Sequence, residues 1–182
     1  MRNNYHFWNK ELSPQYCEQL IEKCSQFPLQ EGEIRSNNSQ EQDISFRNNL
    51  ISFIEDFEIR DLVTNYLIKA NRLSFGFQAD FIPEIQFSRY EQGTYYNFHH
   101  DVNWFNTESM YDRKLSIVIQ LSDEHSYEGG DFVFCNSVHT PITMRAQGSI
   151  IVFPSYINHK VTEITKGIRH SLVCWMEGPR WK

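Results

Sequence analysis

Two histidines, an aspartate and an arginine are spaced so that they could build one metal centre. His99 and Asp101 are one residue apart, His159 follows 58 residues after Asp101, and Arg169 lies ten residues beyond His159. Two imidazoles and one carboxylate on one face of an ion leave three coordination positions open. That arrangement suits a non-haem Fe(II) ion that takes a bidentate organic acid and dioxygen. The set therefore predicts redox chemistry at iron, beside an anion-binding arginine.

The choice of His99 over His100 rests on strand geometry. Residues i and i+2 of a strand point to the same face, so His99 and Asp101 can reach one ion while His100 points away. An H-x-D tripeptide alone is common by chance, and half-buried strand residues before a turn would explain it equally well. The other motifs of the chain favour the metal site.

Four ordered segments resemble one enzyme family. They are 86–101, 127–132, 152–159 and 166–175. Together they resemble the iron(II)- and 2-oxoglutarate-dependent dioxygenases, and within them the prolyl-4-hydroxylase-like branch with its small bacterial and phage-encoded members. The resemblance is strong over roughly residues 84 to 180 and weaker over the helical N-terminal part.

The resemblance implies that His99, Asp101 and His159 bind the iron, and that Arg169 holds the remote carboxylate of 2-oxoglutarate. The chemistry agrees, because a guanidinium presents a planar fork to a carboxylate and stays charged at any working pH. Ser171 shares a strand face with Arg169 and is a second candidate donor to the same carboxylate.

Two tyrosines upstream of His99 also match the family. Tyr90 matches a tyrosine that contacts the co-substrate in this branch, and Tyr96 matches an aromatic position whose role we leave open. Each co-substrate residue has a simpler explanation. Tyr90 is also a typical half-buried strand aromatic, and Arg169 and Ser171 taken alone would be ordinary strand residues.

The resemblance implies Fe(II), the co-substrate 2-oxoglutarate and dioxygen, with ascorbate as reductant in vitro. The implied reaction decarboxylates 2-oxoglutarate to succinate and hydroxylates a substrate, for which a prolyl residue in a peptide or protein is the first choice. Related halogenases lack the carboxylate, so Asp101 favours hydroxylation over halogenation. Other protein side chains, free amino acids and nucleobases stay open as substrates.

Two readings of another class remain. The first is a non-catalytic jelly roll that binds a metal for sensing, and the weaker second is a carbohydrate-binding jelly roll. Neither requires turnover of 2-oxoglutarate, so succinate production separates the oxygenase from both.

Composition limits the class of protein. A chain of 182 residues, 40% hydrophobic and 15% aromatic, indicates one folded domain with a substantial core. The net charge of −6 argues against a nucleic-acid surface, although residues 160–182 are locally basic.

No run of apolar residues is long enough to cross a membrane, and the N-terminus lacks a signal-peptide core. The four cysteines form no C-x-x-C motif, which favours a reducing cytoplasm as the compartment. If the protein is phage-encoded, this is the cytoplasm of the host. No feature specifies an oligomeric state.

The pattern predicts helices over residues 1–72 and a jelly roll over 73–182, all in a single domain. Ser13-Pro14 should start one helix, and a second should begin near Asp56. Eight strand-like segments follow: 73–77, 84–90, 95–101, 114–121, 131–135, 149–153, 159–164 and 168–176. They suit a mainly β, cupin-like double-stranded β-helix with N-terminal helices, in which strands distant in sequence lie side by side.

Several segments have an open role. Residues 31–43 are polar and without periodicity, and both this segment and residues 103–113 are candidate lids. Trp104, Phe105 and Trp175 are candidates for a substrate groove, although large aromatics in a sheet domain more often belong to the core. Gly129-Gly130 is predicted to be a turn rather than a phosphate cradle, because no helix follows it. The histidines without a partner at ligand spacing should be structural or surface residues: His6, His125, His139 and His170.

Overall fold

The computed structural model describes residues 4–32, 46–80, 82, 84–102, 109–135 and 142–181. Its two α-helices are α1 (Pro14–Cys24) and α2 (Phe57–Ala70), and α2 runs into a π-helical turn at Asn71–Phe75. A short 3-10 helix covers Ile142–Arg145. The strands are β1 (His6–Trp8), β2 (Gln30–Glu31), β3 (Leu50–Phe53), β4 (Ile85–Tyr90), β5 (Tyr96–His99), β6 (Tyr111–Gln120), β7 (Tyr127–Gly129), β8 (Phe132–Phe134), β9 (Ile150–Pro154), β10 (His159–Val161), β11 (Ile164–Gly167) and β12 (Arg169–Pro179).

The strands form three antiparallel sheets. The large sheet has the order β1-β9-β6-β12-β4-β3-β2, a smaller sheet has the order β5-β10-β8, and β11 pairs with β7. Alternation along β12 separates the two faces of the large sheet. Leu172, Cys174 and Met176 are buried in the core shared with the helices, whereas Arg169 and Ser171 line a cavity on the other face. The cavity therefore lies on the side of the large sheet away from the helices.

Both helices begin where the sequence predicts. The hydroxyl of Ser13 accepts from the amide of Tyr16 at 3.2 Å, and the carboxylate of Asp56 accepts from the amide of Ile59 at 3.0 Å. Each side chain thus satisfies one of the amides that a helix start leaves without a partner. Lys23 then bridges the two helices through an ion pair of 2.8 Å with Asp56.

The strand predictions are partly wrong. The segment 73–77 is not a strand, because Asn71–Phe75 continue α2 as a π-helical turn that ends at Gly76 in the left-handed region. The segment 159–164 divides into β10 and the start of β11. Four short strands have no counterpart in the prediction, and three of them (β1, β2 and β3) join the large sheet from within residues 1–72.

Other sequence expectations fall on short segments. Gly129 ends β7 and Gly130 begins the connection to β8, and their φ values of +74° and +65° agree with the positive φ expected between two strands; a Cβ on Gly129 would collide with the carbonyl of Glu163. Most of the two candidate lids, together with Trp104, Phe105 and His139, lies outside the described residues. Residues 111–113 of the second lid are instead the start of β6.

The four cysteines are free, as expected. None of the helices in the described parts of the chain has the length and apolar character to span a membrane.

His170 on β12 should make stability depend on pH. Its ring stacks on Phe87, with the ring centroids 5.2 Å apart, and burial lowers its pKa from 6.5 to about 4, with Arg89 and Arg169 adding to the shift. Below pH 6.5 the His170 imidazole is protonated in the unfolded chain but stays neutral in the folded protein. The free energy of unfolding therefore falls as the pH drops toward 4. We expect His170→Phe, which keeps the stack, to flatten this fall. Urea unfolding of the metal-free protein between about pH 7 and 5 measures it, and identical slopes in both proteins would contradict the assignment.

Candidate active site

The β5–β10 ladder brings the candidate metal ligands together. His159 on β10 is the register partner of His99 on β5, and Asp101 is the second residue after the end of β5. A ligand atom from each of the three lies within 4.8 Å of the other two. In the part of the chain that the structure describes, this is the one such group of three metal-ligating side chains. Asp101 lies beyond the end of the strand, so strand alternation does not by itself explain its position.

Both imidazoles turn the same nitrogen toward Asp101. The Nε2 atom of His99 lies 3.7 Å from Oδ1 of Asp101, and that of His159 lies 3.8 Å from Oδ2. The Nδ1 atoms instead face backbone carbonyls, of Asn97 at 2.7 Å and of Ile157 at 2.9 Å. A carbonyl only accepts hydrogen bonds, so Nδ1 carries the proton and Nε2 keeps a lone pair for a metal ion.

The protonation states also suit a divalent cation. Burial lowers the pKa of His99 to about 3, and the neighbouring His159 adds to the shift, so the His99 imidazole is neutral at neutral pH. Burial opposes ionisation of Asp101, but the two histidines, Arg113 and a hydrogen bond from Ser116 together outweigh it and lower its pKa. The site thus offers a neutral imidazole beside a carboxylate, as metal binding requires.

Two buried serines hold Asp101 in place. The hydroxyl of Ser116 donates to Oδ2 of Asp101 at 2.6 Å and lies 2.9 Å from the hydroxyl of Ser155. The amide of Asp101 donates to the carbonyl of Ser155 at 2.8 Å. Neither serine belongs to a motif that the sequence predicts. A polar residue in the middle of the apolar strand β6 was the available signal.

Ser116→Ala should weaken metal binding without unfolding the protein. The change removes the short hydrogen bond that fixes the Asp101 carboxylate, and loss of such a supporting partner typically lowers metal affinity about 10- to 100-fold. A Co(II) titration followed by ligand-field absorption measures the effect, with Ser25→Ala, at an exposed serine just after α1, as control. Equal affinities in all three proteins would show that Ser116 does not orient the ligand.

A cavity of about 630 Å³ adjoins the triad, and Arg169 lies in its wall. Arg169 is only 2% exposed, and its Nη1 lies 3.4 Å from the hydroxyl of Ser171. Its guanidinium carbon lies 5.4 Å from the ring centroid of Tyr90, the register partner of Arg169 on β4. Within the described ranges no acidic side chain forms an ion pair with Arg169, and a buried cation without a counter-ion is costly. The geometry therefore suits an anionic ligand.

Tyr90 supplies a neutral hydroxyl beside this arginine. Burial raises the pKa of Tyr90, so its phenol remains protonated and can donate a hydrogen bond. Arg169, Ser171 and Tyr90, which the sequence placed together, thus share one corner of the cavity. Tyr96, whose role was left open, stacks directly on the imidazole of His99.

Another part of the cavity wall is formed by Trp175 and Arg113. The guanidinium carbon of Arg113 lies 3.7 Å from the Trp175 ring centroid, and Nη2 of Arg113 pairs with Glu84 at 2.7 Å. Trp175 is 6% exposed, and its buried Nε1 has no hydrogen-bond partner among the described residues. Trp175 thus lines the cavity and lies outside the described hydrophobic clusters, and its role in a substrate groove stays a prediction. Arg113 and Glu84 carried no motif that the sequence analysis recognised.

A family model and curated relatives match this part of the chain. The model described as the 2OG-Fe(II) oxygenase superfamily, where 2OG is 2-oxoglutarate, matches residues 85–177. A PKHD-type hydroxylase of Thermosynechococcus vestitus is 30% identical over 125 residues, which cover 68% of this chain and 56% of the hydroxylase. The chain spans about half the length of the curated relatives it matches.

Solved structures share the fold at low identity. The viral collagen prolyl hydroxylase of Paramecium Bursaria Chlorella virus-1, solved as a 2OG complex, has a TM-score of 0.72 at 16% identity, covering 97% of both chains. A prolyl hydroxylase from Trichoplax adhaerens, solved with a hypoxia inducible factor peptide fragment, has a TM-score of 0.74 at 16% identity, covering 96% of this chain and 83% of its own. The solved structures share the fold, and the family model together with the curated relatives confirms the resemblance that the sequence motifs carry.

Proposed function

Because the chain belongs to the 2OG-Fe(II) oxygenase superfamily, we propose that it is a 2-oxoglutarate-dependent dioxygenase in which His99, Asp101 and His159 bind Fe(II). The convergence of these side chains on one point, with both Nε2 atoms turned toward Asp101, carries the proposal. Two imidazoles and a carboxylate are the donors that such an iron site uses, so the residues fit the metal. When bound, the iron activates dioxygen with 2-oxoglutarate as the electron source.

Arg169 anchors the co-substrate in this proposal. Its buried guanidinium meets the remote carboxylate of 2-oxoglutarate, and the hydroxyls of Ser171 and Tyr90 donate further hydrogen bonds to it. A fixed anchor orients the opposite, keto-acid end of the molecule toward the triad. The apolar residues around the triad, among them Val118, exclude water from the reacting groups. Retention of Asp101 supports hydroxylation rather than halogenation.

The proposal extends to the domain architecture and the cellular compartment. We take the facing sheets as the double-stranded β-helix of a single domain over residues 1–182, with residues 1–72 supporting the jelly-roll core of 73–182. A reducing cytoplasm is supported by the four free thiols.

The substrate proposed is a prolyl residue in a peptide or protein. Support comes from the solved neighbours that are named prolyl hydroxylases, one of which, from Trichoplax, holds a peptide. A proline-rich peptide is also extended before it binds, so it loses little entropy on docking.

Succinate release and peptide mass spectrometry test this function together. The purified protein with Fe(II), ascorbate, dioxygen and 2-oxoglutarate should form succinate slowly alone and faster with proline-containing peptides. The peptide should gain the mass of one oxygen atom, and peptides with alanine in place of proline are the matched control. If a nucleobase or a free amino acid stimulates succinate formation and no peptide does, the prolyl substrate is wrong, but the assignment as a 2-oxoglutarate-dependent oxygenase still holds. Metal binding without any succinate would indicate a non-catalytic sensing module.

A further inference from the structure

The side chain of Arg47 is built into the cavity wall. Arg47 is 8% exposed, and its Nε donates to Oδ1 of the fully buried Asn49 at 2.7 Å. A Cβ on Gly32 would lie 2.5 Å from Nε and 2.8 Å from the guanidinium carbon of Arg47. The absence of a side chain at Gly32 therefore provides the space that the Arg47 guanidinium occupies, and any larger residue there would clash with it.

Arg47, Tyr96 and His99 form a stack. The guanidinium carbon of Arg47 lies over the Tyr96 ring, 4.5 Å from its centroid. The Tyr96 and His99 rings are nearly parallel, at 11°, with their centroids 3.5 Å apart. Because the imidazole covers one face of the tyrosine at contact distance, the guanidinium occupies the other face. Tyr96 is thus held between a cation and a metal-ligand candidate.

The backbone keeps these groups in register. Arg47 forms an antiparallel β-bridge with Tyr96, and the amide of Asn97 donates to the carbonyl of Phe46 at 2.9 Å. The side chain of Asn48 adds a hydrogen bond of 2.7 Å from the amide of Tyr95. The segment that carries Arg47 is therefore fastened along β5, next to the site.

The positive charge of Arg47 stabilises the parallel contact between Tyr96 and His99 electrostatically. Two aromatic rings avoid a face-to-face sandwich because both faces carry negative charge, and they prefer offset or edge-on packing. A cation over the far face of Tyr96 draws electron density away from the face that meets His99. The cation thereby makes the parallel contact more favourable, and this contact restricts rotation of the imidazole.

We propose that Arg47 is a positioning residue for the metal site, holding Tyr96 flat against His99 so that Nε2 of His99 stays turned toward Asp101 and His159. This role rests on the proposed function, because it takes His99 as a metal ligand. Arg47 acts through Tyr96 and needs no contact with the metal or the substrate.

A Co(II) titration followed by ligand-field absorption tests the role without turnover. Arg47→Met keeps the unbranched side chain but removes the cation, and it should lower Co(II) affinity about 10-fold, as losses of supporting partners do. Arg47→Lys keeps the cation and should stay within about 3-fold of the wild type. Lys166→Met, at a side chain that is 75% exposed, removes the same charge far from the stack and should change nothing.

A double-mutant cycle identifies the route of the effect. In a Tyr96→Leu background the stack is already gone, so Arg47→Met should cause no further loss of Co(II) affinity. An equal loss in both backgrounds, or no loss in either, would overturn the proposal. If Arg47→Met fails to fold, Gly32→Ala replaces it, because the added Cβ displaces the guanidinium without removing it, and unchanged affinity there would also overturn the role.

The same titration separates this inference from the function on which it rests. If the His99→Ala variant binds Co(II) as tightly as the wild type, His99 is not a metal ligand and the proposed function fails. If His99→Ala abolishes Co(II) binding but Arg47→Met leaves the affinity unchanged, only the positioning role of Arg47 is refuted.

Discussion

Replacing His99, Asp101 or His159 with alanine is expected to abolish turnover and to lower Fe(II) affinity more than about 100-fold. Supporting partners of metal ligands are typically worth 10- to 100-fold, so a ligand itself should be worth more. The side chains of His99 and Asp101 are 9% and 8% exposed, and in the described ranges His159 is the one further metal-ligating side chain that converges on them. Anaerobic Fe(II) titration and succinate formation from 2-oxoglutarate measure the two effects separately.

His100 is the matched control for the triad. It lies next to His99 but is exposed, and it is absent from the three converging side chains. His100→Ala should therefore keep a large fraction of the turnover and the Fe(II) affinity. Loss of iron binding in His100→Ala but not in His99→Ala would show that the wrong histidine has been taken as the ligand.

Arg169→Ala should weaken 2-oxoglutarate binding at least about 30-fold and leave Fe(II) affinity nearly unchanged. Truncating one member of a buried, hydrogen-bonded charge pair typically costs about 2–5 kcal/mol, and 1.4 kcal/mol corresponds to a factor of ten. The guanidinium would pair with the carboxylate remote from the metal, so the iron ligands are untouched. Calorimetric titration of 2-oxoglutarate into the metal-loaded protein measures the change.

Two further variants sharpen this result. Ser171→Ala and Tyr90→Phe each remove one hydroxyl and should cost less than Arg169→Ala, because a neutral hydrogen bond is weaker than a charged one. Lys166→Ala removes an exposed cation and should leave the affinity as it is. Unchanged 2-oxoglutarate affinity in Arg169→Ala would remove the arginine from the co-substrate site.

Local signals in the sequence predicted the helices and part of the sheet. Ser13 and Asp56 start helices through bonds that span three residues, so the signal and its effect lie close together in the chain. The buried strands β4, β6, β9 and β12 are five to eleven residues long, so their runs or alternation of apolar residues are long enough to recognise. The segment 73–77 has a similar apolar content, and the extension of α2 overrode its local pattern.

The short strands were beyond sequence reasoning for a different reason. β1, β2, β3 and β7 contain two to four residues each, too few for a period of two to stand out. Their strand character comes from partners far along the chain. His6 pairs with Val152, and Leu50 pairs with Arg89. Such pairings have no local signature.

The sequence by itself determined which residues could do the chemistry. The H-x-D pair, the distal histidine and the arginine ten residues later are residue types whose spacing identifies the family, and the family model matches the same region. Only the tertiary structure decided what holds them. Ser116 reaches Asp101 from β6, and Arg47 reaches His99 through Tyr96, from a segment with no motif. Ligands are recognisable because a metal demands particular donor atoms, whereas many residue types can support them and the folded chain alone determines which ones lie within reach.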